Sequence, residues 1–284
     1  MDLRLPAFLC AILVLAAPAK AQDDALVMTP SGPWVAEFAD HSCALMRNFE
    51  QGDHSAMLEL RQFLPGRLFE ITAASPTLER RDRKLRTAVL PDDETEAPRT
   101  YRRVDGDDNW EGFIYTDTID RNGESPPVPG SPQAIARDAA ITGVSIQNGF
   151  SSDIVFETGP LDEAMRIMRH CTDDLVSAWG LDPQQQRNLS RQVDLGSKVS
   201  WFRQFLQISQ RIEREYGIDN LKLLLLVDED GNVTRCRATN LPDDVAAENA
   251  ACEHVLKSAD LQPALDANGH AVASYYLLWG YVVS

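Results

Sequence analysis

The chain has 284 residues, 44% of them hydrophobic and 25% charged, with a formal net charge of −16 and an isoelectric point near 4.7. That length and composition suit one or two soluble domains with ordinary cores. The excess of acid repels a phosphate backbone, which argues against nucleic-acid binding and favours a basic partner for any charged contact.

The first stretch, MDLRLPAFLCAILVLAAPAKAQ, has a positive Arg4, an apolar run from Leu5 to Ala17 and a small-x-small step at Ala19-Lys20-Ala21. This is the pattern of a secretory signal peptide over residues 1–21. The apolar run falls short of the roughly 20 residues that a membrane-spanning helix needs. If it were retained instead, it would act as an anchor. Residues 1–21 carry Arg4 and Lys20 against Asp2, so their removal takes the formal charge from −16 to −17. No later segment is long and apolar enough to span a bilayer.

Residues 22–32 are polar and read as a loose start. Strand-like runs then alternate with turns: CALMRNF (43–49), SAMLELRQFL (55–64), RLFEITAA (67–74), LRTAVL (85–90) and GFIYTDTI (112–119). The charged SPTLERRDRKL (75–85) reads as a solvated hairpin face. RNGESPPVPGSPQ (121–133) holds too many prolines and glycines for a helix or an inner strand and reads as a surface loop. AITGVSIQ (140–147) and DIVFETG (153–159) follow as strands.

A helix opens at Gly159-Pro160, with Asp162 and Glu163 in its first turn, where the helix dipole favours negative charge. Leu161, Ala164, Met168, Cys171, Leu175 and Ala178 recur at steps of three or four, making one apolar stripe. Gly180 ends it. Residues 183–198 read as a linker between a domain over 33–182 and a module over 199–284. In the module, Val199, Phe202, Leu206, Ser209, Ile212 and Tyr216 keep helical spacing. Strands over 221–227 and 232–239, a helix near 243–258 and a strand over 270–282 complete it.

The stretch LLLLVDEDGNVTRC (223–236) could be read as a calcium loop. An EF-hand counted from Asp228 needs glycine at position 6 and an acid at position 12; here Gly231 is at position 4 and Thr239 at position 12. The spacing fails. Asp230-Gly231 between two strand-length runs instead signals a hairpin turn.

Cys10 leaves with the signal peptide. Cys43, Cys171, Cys236 and Cys252 remain, an even number that favours disulfides in an exported chain. Four cysteines allow three pairings. Cys43–Cys171 and Cys236–Cys252 are preferred, because each closes a loop inside one unit. Cys171 lies on the buried helical stripe. Thr234, Cys236 and Ala238 share one strand face, opposite Val233, Arg235 and Arg237, so Cys236 should face the helix that carries Cys252.

Signatures of catalysis are weak. The nearest nucleophile elbow, Gly143-Val144-Ser145-Ile146-Gln147, lacks its closing glycine. His41 near Cys43 and His170 beside Cys171 resemble a zinc set, but neighbours on a helix point about 100° apart. His254 and His270 read as surface residues. No catalytic residue, metal ligand or cofactor site is expected.

The C-terminal order is more informative: Val227-Asp228-Glu229-Asp230-Gly231, then Val233, an alanine-rich helix, Gln262-Pro263-Ala264, Gly269, Val272 and an aromatic strand. This pattern resembles the C-terminal domain of the TonB family of energy transducers, fused here to an exported N-terminal domain of the kind found in alphaproteobacteria. The resemblance implies a small antiparallel sheet with helices on one face. It also implies that the last strand, Ala271 to Tyr281, pairs with an extended segment of a partner by strand addition. The side chains of Val272, Ser274, Tyr276 and Leu278 would then supply selectivity.

The expected fold class is α+β: a β-rich N-terminal domain closed by a helix, then a small domain with a three-stranded antiparallel sheet and helices on one face. The expected function is non-enzymatic protein or peptide binding in the bacterial periplasm or outside the cell. The alternatives are a membrane-anchored energy transducer and a secreted hydrolase with its site in the N-terminal domain.

Overall fold

The computed structural model describes residues 25–81, 83–119, 128–196, 200–218, 221–241 and 245–279. The expected signal peptide lies outside them. Most of the first half is β1 (Leu26–Pro30), β2 (Val35–Ala39), β3 (Ser42–Gln51), β4 (His54–Gln62), β5 (Leu68–Ser75), β6 (Arg86–Leu90), β7 (Thr100–Asp105) and β8 (Glu111–Thr118). Helix α1 (Pro132–Ala140), β9 (Gly143–Gln147), β10 (Ile154–Phe156) and α2 (Asp162–Ala178) follow. These strands make one sheet in the order β6-β9-β10-β1-β3-β4-β5-β8-β7, with β2 attached to β3 as a tenth strand. Neighbours run antiparallel except β1 and β10, which are parallel. Alternation drives the sheet: in β4 every second residue from Ala56 to Gln62 is buried.

Helix α2 closes this core. Met165, Met168, Cys171, Leu175 and Val176 form its buried stripe. The Cys43–Cys171 disulfide ties β3 to the helix across a sequence separation of 128. Closing so long a loop lowers the entropy of the unfolded chain by the equivalent of about 4–5 kcal/mol.

The second half starts with α3 (Pro183–Arg187) and β11 (Asp194–Leu195), inside the stretch expected to be a linker. Then come α4 (Ser200–Tyr216), β12 (Lys222–Val227), β13 (Val233–Ala238), α5 (Val245–Ser258), β14 (Leu261–Gln262), β15 (Ala264–Leu265), β16 (Ala271–Val272) and β17 (Ser274–Trp279). A three-stranded antiparallel sheet runs β13-β12-β17; β11 pairs with β14, and β15 with β16. The Asp228–Asn232 turn is the expected hairpin connection. The Asp228 carboxylate accepts from the N–H of Asp230 at 3.0 Å and of Asn232 at 2.8 Å, and Gly231 sits at φ +86°. The second disulfide joins Cys236 to Cys252, strand to helix.

The expected fold class needs correction. The chain is α+β overall, but it is built on one large mixed sheet with two helices in the same half, α1 as well as α2. Its three-stranded sheet is not a small domain with helices on a single face. One face carries Leu223, Leu225, Val227 and Leu278 against Trp201 and Phe205 of α4 and Ala251, Cys252 and Val255 of α5. The other face carries Leu224, Leu226 and Tyr275, which pack on Val176, Trp179, Leu181 and Leu64 of the N-terminal half. Every residue of β12 is buried. A strand covered on both sides reads as an unbroken apolar run rather than an alternation, and Leu223–Leu226 is such a run.

Two smaller corrections follow. Strand 270–282 is not one element: β16 pairs with β15, and after Ala273 the chain changes partner so that β17 pairs with β12. Val233 does not share the solvent face with the arginines. A register shift between Leu226 and Val227 turns it into the core that Cys236 borders.

The doubly covered sheet has a measurable consequence. Leu226→Ala should lower the unfolding free energy by about 2–4 kcal/mol, because it opens a cavity in a sealed layer. Urea unfolding of the two proteins measures it. A loss under about 0.5 kcal/mol is the value expected of an open face.

Candidate functional site

Where the two halves meet, a cleft of about 630 Å³ remains, within the range of about 300–1,000 Å³ typical of ligand pockets. One wall is the turn from β4 into β5, Gln62 to Glu70. Met165, Met168 and Arg169 of α2, with Arg137 and Asp138 of α1, make the floor. Gln186 and Arg187 of α3 and the following Leu189, Gln192 and Val193 make the second wall. The remaining side is β17. Tyr275, Tyr276 and Leu277 all line the cleft. Successive side chains of a strand point to opposite faces, so a space that touches all three runs along the strand's edge.

That edge is unoccupied by another strand among the described residues: β12 pairs with β17 on one side only. On the outer side of an antiparallel edge strand, alternate N–H and C=O groups point away from the sheet. At its beginning, the Gln186 amide donates to the Ala273 carbonyl at 2.9 Å, and the Ser274 hydroxyl donates to Gln186 Oε1 at 2.6 Å. Helix α3 thereby holds the start of the edge in place.

The floor is charged. Asp138 has a fully buried side chain. Its Oδ1 accepts from Arg137 Nη2 at 2.6 Å and its Oδ2 from Arg169 Nη1 at 2.6 Å. One carboxylate is thus shared between two guanidinium groups from neighbouring helices. Arg187 pairs with Asp173. Behind the β4–β5 wall, Lys222 is paired with Glu70, and its ammonium lies 4.3 Å from the ring centre of Phe63 and 5.2 Å from that of Trp279. Desolvation by burial pushes the Lys222 pKa down from its ordinary 10.5, and the charge of Glu70 offsets part of that shift. Burial likewise raises the phenol of Tyr275, and the neighbouring Asp173 adds to the rise.

The structure separates the residues picked from the sequence. Ser274 and Leu278 are fully buried, and Tyr276 packs partly into the core under α4 and α5. Val272 belongs to β16, not to the edge strand. The four side chains therefore do not form an outward selectivity face. The edge offers backbone, and the selective side chains come from the opposing walls. Sequence reasoning missed Arg137, Asp138, Arg169 and Arg187. A usable signal was present at Ser131-Pro132, where the Ser131 hydroxyl caps α1 by accepting from Ala134 N at 3.2 Å and proline fills a first-turn position.

The other residues singled out are placed apart. Ser145 is a mid-strand residue of β9, paired with Ala88 on one side and Val155 on the other. His170 is exposed, 3.8 Å from Asp174, while His41 has its Nδ1 buried. His254 is not a free surface residue: its ring contacts the Trp201 carbonyl at 2.9 Å. His270 is exposed beside Asp266. Among the described residues, no group of three or more His, Cys, Asp and Glu side chains is set to hold a metal. No helix among them is long and apolar enough to cross a membrane. The two disulfides fit a protein that matures outside the reducing cytosol.

Both buried ion clusters can be tested. Asp138→Asn removes the buried carboxylate that Arg137 and Arg169 share and should cost about 3 kcal/mol in urea unfolding. Glu70→Gln should cost a similar amount by stranding Lys222. The double change Lys222→Met/Glu70→Gln should be as stable as the wild type or more so at neutral pH. Folded wild type binds fewer protons at Lys222 than the unfolded chain does, so its stability rises with pH as 10.5 is approached. The advantage of the double variant should therefore shrink as the pH rises toward 10.5; a constant difference would contradict the burial cost.

Comparison with known proteins returned nothing to set beside this site: no family model, no curated protein and no solved structure matches the chain.

Proposed function

We propose that the protein is a non-enzymatic binding protein of the cell envelope. Its ligand is an extended protein segment that docks by strand addition along the free edge of β17. The observation that carries this reading is the cleft itself, which follows an unpaired strand edge and has walls on its other sides. Strand addition takes affinity from main-chain hydrogen bonds and selectivity from neighbouring pockets. The edge can supply the first, and the walls formed by Gln62–Glu70 and by α3 with its successor residues can supply the second. The resemblance of the C-terminal pattern to the TonB family, where the last strand binds partners in this way, points in the same direction. The Cys43–Cys171 and Cys236–Cys252 bridges agree with a periplasmic or secreted setting.

A force-transmitting role is a weaker reading. The β17 edge is enclosed by the protein's own N-terminal half, so a partner must enter a cleft rather than meet an open strand. A hydrolase reading finds less support still, since Ser145 lies within a paired strand.

The test is a peptide-binding titration with an obstructed cleft. Gln192 is exposed and lines the cleft, so Gln192→Trp should fill it while leaving the melting temperature nearly unchanged. Peptides selected on the wild type from a random hexapeptide library should bind the variant at least tenfold more weakly by fluorescence anisotropy. Equal binding to both proteins would show that the peptides dock elsewhere and would remove the reading.

A further inference from the structure

We infer that the Cys236–Cys252 bridge is a thiol–disulfide exchange site, opened at the Cys236 sulfur by an external dithiol, while Cys43–Cys171 is a closed structural bond. The two bridges are covered differently. Cys43 and Cys171 keep 1% and 3% of their surface exposed, and both lie inside the core of the large sheet. Cys43 has a strand on each side, with Phe38 of β2 and Gln62 of β4 as its partners, and its sulfur is bonded to α2. A thiolate can reach that bond only by displacing a strand or the helix.

Cys236 is placed at a margin. Among the described residues β13 pairs only with β12, where Cys236 stands opposite Leu225, so one flank of the cysteine has no neighbouring strand. Cys236 is half-buried at the border of the second core, whereas Cys252 is 5% exposed and lies within it. The bond is open from one end. Which disulfide exchanges depends on access for the attacking thiolate and on which sulfur it meets.

The reaction moves two electrons. A thiolate of the dithiol attacks Cys236 Sγ and a new S–S bond forms. The Cys236–Cys252 bond breaks, and its electron pair leaves on Cys252 Sγ, which takes a proton. The second thiolate of the dithiol then attacks its own sulfur in the mixed disulfide and expels Cys236 as a thiolate, which is protonated in turn. The dithiol ends as a disulfide, and the protein gains two thiols.

The bridge holds α5. Apart from Cys252, that helix buries Ala247, Ala251 and Val255, where α4 buries Trp201, Phe205 and Ile212. Its apolar grip is the smaller of the two. Once the sulfurs part, Glu248 still ties α5 to β13 by accepting from the Ala238 N–H at 3.3 Å and pairing with Arg237 at 3.4 Å. Opening the bond loosens the helix over one face of the small sheet and leaves the large sheet closed. β13 lies across β12 from β17, so the exchange site neither needs nor blocks a segment docked at the β17 edge.

Alkylation mapping on the full folded chain tests this. The protein is incubated without denaturant with dithiothreitol or with reduced thioredoxin, quenched at intervals with iodoacetamide, digested and read by mass spectrometry. Cys236 and Cys252 should be alkylated together, about tenfold faster than Cys43 and Cys171, with either reagent. Faster reduction by thioredoxin at equal dithiol concentration identifies a protein as the source of the dithiol; faster reduction by dithiothreitol identifies a small molecule. Amide hydrogen exchange of the partly reduced protein should speed up in α5 and stay unchanged in β4. The variant Cys236→Ser/Cys252→Ser should reproduce that α5 exchange.

Equal rates for the two bridges, or reduction of both only in urea, would overturn the inference, since each means that access follows global unfolding. Earlier loss of Cys43–Cys171 would overturn it as well. The alkylation rates are read on the wild type, so they decide the matter even if the double variant does not fold.

Discussion

The contact between Leu224, Leu226 and Tyr275 on one side and Val176, Trp179, Leu181 and Leu64 on the other determines the shape of this protein. Without it the three-stranded sheet would be an amphipathic layer roofed by α4 and α5. With it, the second face of the sheet is sealed against the end of α2, and β17 is brought alongside the β4–β5 turn. Each leucine removed from water contributes about 1.5–3 kcal/mol, and the Tyr275 ring meets Trp179 edge to face at a centroid distance of 5.4 Å. The cleft is the space left between two surfaces joined at one end. Its existence is a by-product of that junction rather than a feature of either half.

The charges at the seam follow from the same geometry. A buried ion pair returns little net free energy, because desolvation consumes most of the Coulombic gain. A misplaced one is costly. Glu70 belongs to the large sheet and Lys222 to the small one, so any sliding of one half on the other strands two charges. Asp138 has the same effect between α1 and α2. The apolar contact thus supplies the affinity between the halves, and the ion pairs penalise other dockings. The floor of the cleft takes its paired charges, Asp138 with Arg137 and Arg169, from this arrangement.

Some of this was legible in the sequence and some was not, for identifiable reasons. Asp230-Gly231 marked its hairpin because glycine is the residue that accepts φ +86° without strain. The stripe through Met168, Cys171 and Leu175 marked α2 and one half of a disulfide. Leu223–Leu226 carries the signal of a strand, and its lack of alternation carries the signal of cover on both faces. Helix α1 was hidden by the proline-rich segment before it, although Ser131-Pro132 is a good helix start. The break at Ala273 had no local mark at all: AVASYYLLW is continuous in composition, and only the partners differ, β15 before it and β12 after. The charged residues of the cleft, Arg137, Asp138, Arg169 and Arg187, come from three helices. Their convergence is a property of packing, and no spacing along the chain records it.

The most direct measurement is native-state amide hydrogen exchange on the intact chain, comparing Leu224–Leu226 in β12 with Leu58–Leu60 in β4. If the small sheet is sealed on both faces, its central amides should exchange only through global unfolding, with the same opening free energy as β4. Collective release of β12 and β17 at several kcal/mol below β4 would mean that the small sheet opens as an independent unit, and the enclosed cleft would not persist.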